Sequence, residues 1–246
     1  MKIIGIIPAR FASTRFPGKP LVEIHGMTMV QRVLGQAKKA NGLHDVLIAT
    51  DDSRIFDHVS SLGAKVVMTS ETHPSGTDRC LEALEISGIE ADAVINIQGD
   101  EPFVDPVQID AVADLLKRPG ADIATLVKRI GDKETLFDPN KVKAIFSDEG
   151  KAIYFSRHAI PFQKGRDENE WLEHFQYFKH IGLYGYKVNV LREICALKPS
   201  QLELAESLEQ LRWLENGRSI FVSETHIETP AIDTPEDLKK LLINPL

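Results

Sequence analysis

Three basic side chains, Arg10, Arg15 and Lys19, stand within one short stretch, I-I-P-A-R-F-A-S-T-R-F-P-G-K-P, at positions 6–20. Residues 1–22 hold these three and Lys2 but no acidic side chain, in a chain whose formal charge is -7. Ala9, Ala12, Ser13, Thr14 and Gly18 leave room for a ligand to approach the backbone, and guanidinium and ammonium groups suit phosphate oxygens. The chemistry indicated is capture of a multiply charged anion; an ordinary solvated basic loop also accounts for the charges. A P-loop is excluded, because it would need Gly at position 13 and Ser or Thr at position 20, where Ser13 and Pro20 stand. A G-x-G-x-x-G turn is absent here too.

A second group could supply the cation that such an anion needs. Asp100 and Glu101 follow Gly99 directly after the apolar run Ala93–Ile97. Mg²⁺ is held by one or two carboxylates together with substrate phosphates, which suits this placement. Opening the turn before Pro102 and Pro106 explains the same residues. Far along the chain, Asp233 precedes Thr234-Pro235-Glu236-Asp237. Pro at the first helical position makes Thr234 the N-cap and puts Asp237 in a capping box, leaving Asp233 available for another role, including a metal. Ser75-Gly76-Thr77 reads as a helix N-cap with a turn glycine. Arg157, His180 and Glu209-Gln210 stand out in the second half, though a surface arginine, a satisfied histidine and a solvated helix face describe them as well.

These groups need a scaffold, and the hydrophobic pattern supplies one. Ile3–Ile7 is a buried strand cut off by Pro8; Met29, Val30, Val33, Leu34 and Ala37 recur at helical spacing up to Asn41-Gly42. Strands at Val46–Ala49, Lys65–Met68, Ala93–Ile97 and Ile123–Ile130 alternate with helices through Ile55–Leu62, Leu81–Ile86 and Ile109–Leu116. That rhythm predicts an α/β fold with a mostly parallel sheet flanked by helices, whose ligands gather at the carboxyl ends of the strands. Between about 131 and 176 the rhythm breaks down, with apolar runs only at Val142–Phe146 and Ile153–Phe155. This predicts an insertion on one domain spanning 1–246, in which Phe162, Trp171, Phe175 and Phe178 form either a subunit interface or a local core. A helical pattern covers Leu204–Trp213, and Ser219–Ser223 makes a late strand.

Composition narrows the function further. At 246 residues, 43% hydrophobic and 26% charged, the chain can bury a sizeable core. Its acidic total argues against a general nucleic-acid binder. No stretch is apolar for long enough to span a membrane, and the opening apolar run is too short for a signal peptide. Cys80 and Cys195 are too isolated for a disulfide framework, so the cytoplasm is the expected location.

Read together, I-P-A-R-F-A-S-T-R-F-P-G-K-P (7–20), A-T-D-D (49–52), S-G-T-D-R (75–79), N-I-Q-G-D-E-P (96–102), Y-F-S-R (154–157), H-I-G-L-Y (180–184), L-E-Q-L-R (208–212) and D-T-P-E-D-L (233–238) resemble the 3-deoxy-manno-octulosonate (Kdo) cytidylyltransferases. The resemblance covers nearly the whole chain. It implies the Rossmann-like nucleotide-diphospho-sugar transferase fold, with a smaller dimerisation and substrate subdomain at about 131–187, and a homodimer. It further implies that CTP and Kdo give CMP-Kdo and pyrophosphate for lipopolysaccharide biosynthesis. Arg10, Arg15 and Lys19 would meet the triphosphate, Lys19 nearest the transferring phosphate. Asp100 and Asp233 would hold Mg²⁺, and Pro8, Ala9, Ser75 and Gly76 would read the cytosine. Gln98, Arg157, His180, Tyr184, Glu209 and Gln210 would receive the sugar acid. Activation of another 2-keto-3-deoxy acid, such as a sialic acid or an amino analogue of Kdo, is the nearest alternative; a catalytically silent nucleotide-binding module is the more distant one.

Overall fold

The computed structural model describes residues 1–12, 16–230, 232 and 234–243. The chain divides into two compact units, residues 1–113 with 228–246, and residues 114–227.

The first unit opens with β1 (Ile3–Ala9), a short hairpin of β2 (Glu23–Ile24) and β3 (Met27–Thr28), and α1 (Met29–Ala37). It continues with β4 (Asp45–Thr50), α2 (Ser53–Ser61), β5 (Lys65–Met68), α3 (Gly76–Ser87), β6 (Ala93–Asn96) and α4 (Pro106–Leu116). Ile3, Ile4, Ile6 and Ile7 are all fully buried, as expected of a strand covered on both faces. The order is β6-β1-β4-β5 and every pairing is parallel, with Ile6 opposite both Leu47 and Asn96. The carboxyl ends of four strands therefore share one edge, where the loops after Ala9, Thr50 and Asn96 emerge together. The helices start where short polar side chains cap them: Thr28, Asp52 and Ser75 each accept a backbone N–H from the first turn. The chain's end returns to this unit. Ile232 and Leu241 pack with Ile24 and Met29, and the reciprocal Thr234–Asp237 capping box forms as expected.

The second unit holds β7 (Ile123–Arg129), α5 (Lys133–Phe137), β8 (Lys143–Phe146), β9 (Ala152–Ser156), α6 (Trp171–His174) and β10 (Phe178–Lys187). After these come α7 (Val188–Cys195), α8 (Gln201–Glu206), α9 (Glu209–Glu215) and β11 (Ile220–Glu224). β11 pairs with β7 in parallel, whereas β7-β10-β8-β9 is antiparallel. The two apolar runs at Val142–Phe146 and Ile153–Phe155 are thus strands. Trp171 forms a local core with Tyr177, Leu136, Ile130 and Ala159, and Phe162, though 71% exposed, packs edge-on to Trp171 at 5.4 Å.

The helical pattern at Leu204–Trp213 is two helices rather than one, because Ser207 adopts a left-handed φ of 53° between them. Glu203 closes a capping box with Ser200 and pairs with Arg212, which draws α8 against α9 and leaves the turn between them to be pinned from elsewhere.

α10 (Pro235–Ile243) is the last element among the described residues.

Candidate active site

In the first unit the basic loop leaves the end of β1. Arg10 is exposed, and the loop's two described ends are joined by the Gly18 N–H donating to the Phe11 carbonyl at 2.9 Å. Gly18 is needed here: its φ is +72°, and a Cβ would lie 3.2 Å from the Phe11 ring. On that ring lies the Arg54 guanidinium, 3.3 Å from the centroid, itself held by both carboxylate oxygens of Asp52 at 2.9 and 2.6 Å. The Arg54 hydrogen bond keeps the Asp52 carboxyl below the usual carboxylate range. Arg10, Phe11, Asp51, Arg54 and Glu71 line a cleft of about 300 Å³ at this edge of the sheet.

Lys19 begins the short helical turn Lys19–Leu21, and its Nζ donates to Asp100 Oδ2 at 2.9 Å. The pair is partly open to solvent, 11% and 32% exposed, so it contributes on the order of 1 kcal/mol or less, and exchanging it for phosphate oxygens costs little. Asp100 sits in a turn closed by the Glu101 N–H on the Gln98 carbonyl, so the turn coexists with a carboxylate that is partly open to solvent. Gly99 lets this turn press against β1, since a Cβ there would stand 2.3 Å from the Pro8 carbonyl oxygen. The Asp100 carbonyl accepts the N–H of Ile232 at 3.0 Å, which ties the C-terminal segment to this turn. Arg15 and Asp233 lie outside the described residues.

Ser75 caps α3, accepting the Asp78 N–H at 3.2 Å. A Cβ on Gly76 would lie 3.7 Å from the Pro8 ring and 3.3 Å from the Asn96 amide, so Pro8 and Gly76 are neighbours. Asn96, which sequence reasoning passed over, is buried there with no hydrogen-bond partner on its Oδ1 among the described residues. Reasoning also passed over Arg79. Buried to 1% exposure, it donates to Asp51 at 2.7 Å and to Thr69 at 2.6 Å, fixing the start of α3 to the ends of β4 and β5. Removing one partner of so buried a pair strands a charge, at a cost of about 3 to 5 kcal/mol. Both residues lay in motifs visible in the sequence, but only the fold shows that they face each other.

The second unit gathers the other predicted groups. Arg157 is engaged with backbone: its guanidinium donates to the carbonyls of Glu206 at 2.6 Å, Pro139 at 3.1 Å and Ser207 at 3.2 Å. It thereby pins the turn just before α9, whose first two residues are Glu209 and Gln210, the latter buried. His180 packs edge-on to Phe155 and 5.1 Å from the Tyr184 ring. The Tyr184 hydroxyl is buried with no partner among the described residues. Burial, and then the Glu209 carboxylate, push its phenol well above the ordinary value.

Burial pushes the His180 imidazole down from 6.5 to about 3. The fold thus opposes its protonation, and the resulting stability is complete above about pH 6.5 and lost as pH falls toward about 3. The His180 ring is half-buried, so the loss between pH 7 and pH 5 is expected to be about 1 kcal/mol. Urea unfolding at the two pH values should show this excess loss in the natural chain and not in His180→Gln; equal losses in both would contradict it.

The cytidylyltransferase family model matches residues 4–220. A 3-deoxy-manno-octulosonate cytidylyltransferase of Cytophaga hutchinsonii is 53% identical, covering 98% of this chain and 96% of its own. An 8-amino-3,8-dideoxy-manno-octulosonate cytidylyltransferase of Shewanella frigidimarina is 45% identical, covering 98% and 97%. Among solved structures, that of a CMP:2-keto-3-deoxy-manno-octonic acid synthetase complexed with CTP superposes with a TM-score of 0.91 at 38% identity, covering 99% of this chain and 98% of that one.

Proposed function

Because this chain belongs to the 3-deoxy-manno-octulosonate cytidylyltransferase family, we propose that it joins CTP to Kdo, forming CMP-Kdo and pyrophosphate for lipopolysaccharide biosynthesis. The observation that carries this reading is the meeting of Lys19 with Asp100 at the parallel strand ends, beside the loop that displays Arg10.

The reaction is an in-line displacement: the anomeric hydroxyl of the sugar attacks the α-phosphorus and pyrophosphate leaves. Charge builds on phosphate oxygens, so catalysis rests on positioning and electrostatic stabilisation. Arg10 and Arg15 bind the triphosphate, and Lys19 turns from Asp100 to the transferring phosphate. Pro8, Ala9, Ser75 and Gly76 hold the cytosine, helped by the close packing of Pro8 and Gly76. Gln98, Arg157, His180, Tyr184, Glu209 and Gln210 bind and orient the sugar acid, Arg157 through a guanidinium that also grips the turn before α9.

The donor set suits Mg²⁺. Asp100 offers a hard oxygen ligand, and the Ile232 bond to its carbonyl supports Asp233 as the second. Bound there, the ion would polarise the α-phosphate, with triphosphate oxygens completing its shell. Cys80 and Cys195 are not joined in a disulfide, which supports a cytoplasmic location. The exposed Phe162 and Phe175 support a homodimer formed through the second unit.

A pyrophosphate-release assay with CTP, Mg²⁺ and a panel of sugar acids tests the substrate. Kdo is expected to give the highest kcat/KM; the Shewanella relative makes 8-amino-3,8-dideoxy-manno-octulosonate the second reading, which a higher value for that sugar would establish. CTP binding without turnover of any acidic sugar would indicate the silent module instead. Lys19→Ala is expected to lower kcat at least roughly tenfold while lowering the thermal midpoint by no more than about 4 °C. Unchanged kinetics would remove Lys19 from the phosphate.

A further inference from the structure

The pairing of β10 with β7 is broken where the sugar-acid residues stand. Ile181 faces Leu126, but the next registered pair is Gly185 with Ala124, so residues 182–184 bulge against Thr125 alone. Thr125 is fully buried. Its Oγ1 lies 3.1 Å from the Ile181 carbonyl oxygen, 2.9 Å from that of Leu183 and 2.9 Å from His180 Nε2.

A hydroxyl has one proton, and carbonyl oxygens only accept. Were the Thr125 proton turned to His180, both carbonyls would face its bare lone pairs inside the sheet, an uncompensated polar burial. The proton therefore goes to a carbonyl of the bulge. The only role left to Nε2 is to donate its own N–H to the Thr125 oxygen, which leaves Nδ1 with a lone pair. His180 is half-buried, its ring 5.1 Å from that of Tyr184, whose buried hydroxyl has no partner among the described residues.

We propose that Thr125 locks His180 in the Nε2–H tautomer, so that Nδ1 accepts a hydrogen bond from a hydroxyl of the sugar acid and carries no positive charge to its carboxylate. The role of the hydroxyl rests on the sugar-acid reading above; the tautomer does not. Thr125 is a positioning residue, acting through His180 and through the bulge that displays Tyr184. Desolvation is the cause of the imidazole's low basicity, in keeping with a neutral ring throughout the working range. Among charged groups, Glu209 acts on the adjacent Tyr184.

Nitrogen NMR of the intact protein labelled in histidine reads the tautomer directly. The expected result is a protonated Nε2 and an unprotonated Nδ1 for His180, unchanged from about pH 5.5 to about pH 8.5. A proton on Nδ1, or a titration near neutrality, would overturn the lock. Thr125→Val keeps the volume and removes the hydroxyl. It is expected to raise KM for the sugar acid roughly tenfold while leaving KM for CTP in place. Thr125→Ser, which restores the hydroxyl, is expected to return both the tautomer and the sugar KM to their natural values. Should the valine variant not fold, the serine variant and the natural chain still decide the matter: a serine variant with the natural tautomer but a tenfold poorer sugar KM counts against the proposal. A natural chain that shows the Nε2–H tautomer but turns over no sugar acid would sink the substrate reading and leave the lock standing.

Discussion

Asp100→Asn is expected to lower turnover by about two orders of magnitude or more, and Asp233→Asn by a similar factor. Each change keeps the shape of the side chain and removes one negative charge. For Asp100 two interactions go at once: the hard ligand proposed for Mg²⁺ and the 2.9 Å partner of Lys19. Its tie to Ile232 runs through the main-chain carbonyl and survives the substitution, so the fold should hold. Steady-state kinetics across a Mg²⁺ titration separates the effects. A weakened metal site shows a raised Mg²⁺ requirement together with the lower kcat, whereas loss of the lysine pair alone leaves the requirement unchanged. Near-normal CMP-Kdo formation by either variant at limiting Mg²⁺ would refute the two-carboxylate site.

Gly99→Ala is expected to be comparably damaging through sterics alone. The added methyl would sit 2.3 Å from the Pro8 carbonyl oxygen and 3.4 Å from its carbon, both main-chain atoms of the strand that begins the site. Neither can swing aside as a side chain would, so the Asp100 turn must move away from β1. Overpacking of this kind costs about 1 to 3 kcal/mol, and a displacement near 1 Å at a reacting centre costs about a hundredfold in rate. We expect a lower thermal midpoint and a hundredfold fall in kcat/KM. Gly35→Ala is the control: nothing lies within 4 Å of a Cβ at that position in α1, and the change should stabilise the helix by up to about 1 kcal/mol. Equal behaviour of the two variants would remove the close approach at Gly99 from the account of the site.

Some of this was legible in the chain because it depends on local rules. A continuous apolar run bounded by polar loops reads as a buried strand, and strands alternating with amphipathic helices force parallel neighbours; Pro8 does not end β1 as expected, because pairing with β4 continues through Pro8 and Ala9. The placement of the basic loop and of Asp100 at one edge of the sheet follows from that topology. The caps Ser75 and Thr234 were readable for the same reason, since an N-cap is decided within four residues. The break at Ser207 was not, because it is imposed by Arg157 and Glu203, on other turns of the chain, against a sequence whose own period runs on.

By itself, then, the sequence determined the alternation of strands and helices up to Leu116, the strand ends that bear the polar groups, and the residue types able to meet phosphate and a hard cation, all of which follow from period, charge and capping chemistry. Only the tertiary structure decided which groups touch. Lys19 finds Asp100, Phe11 lies between Gly18 and Arg54, Arg79 finds Asp51, and Thr125 reaches a bulge in β10 that no periodicity announces. Apart from Phe11 with Gly18, those contacts join residues tens of positions apart. What fixes them is sheet register and the need of every buried polar atom for a partner, conditions that exist only once the strands lie side by side.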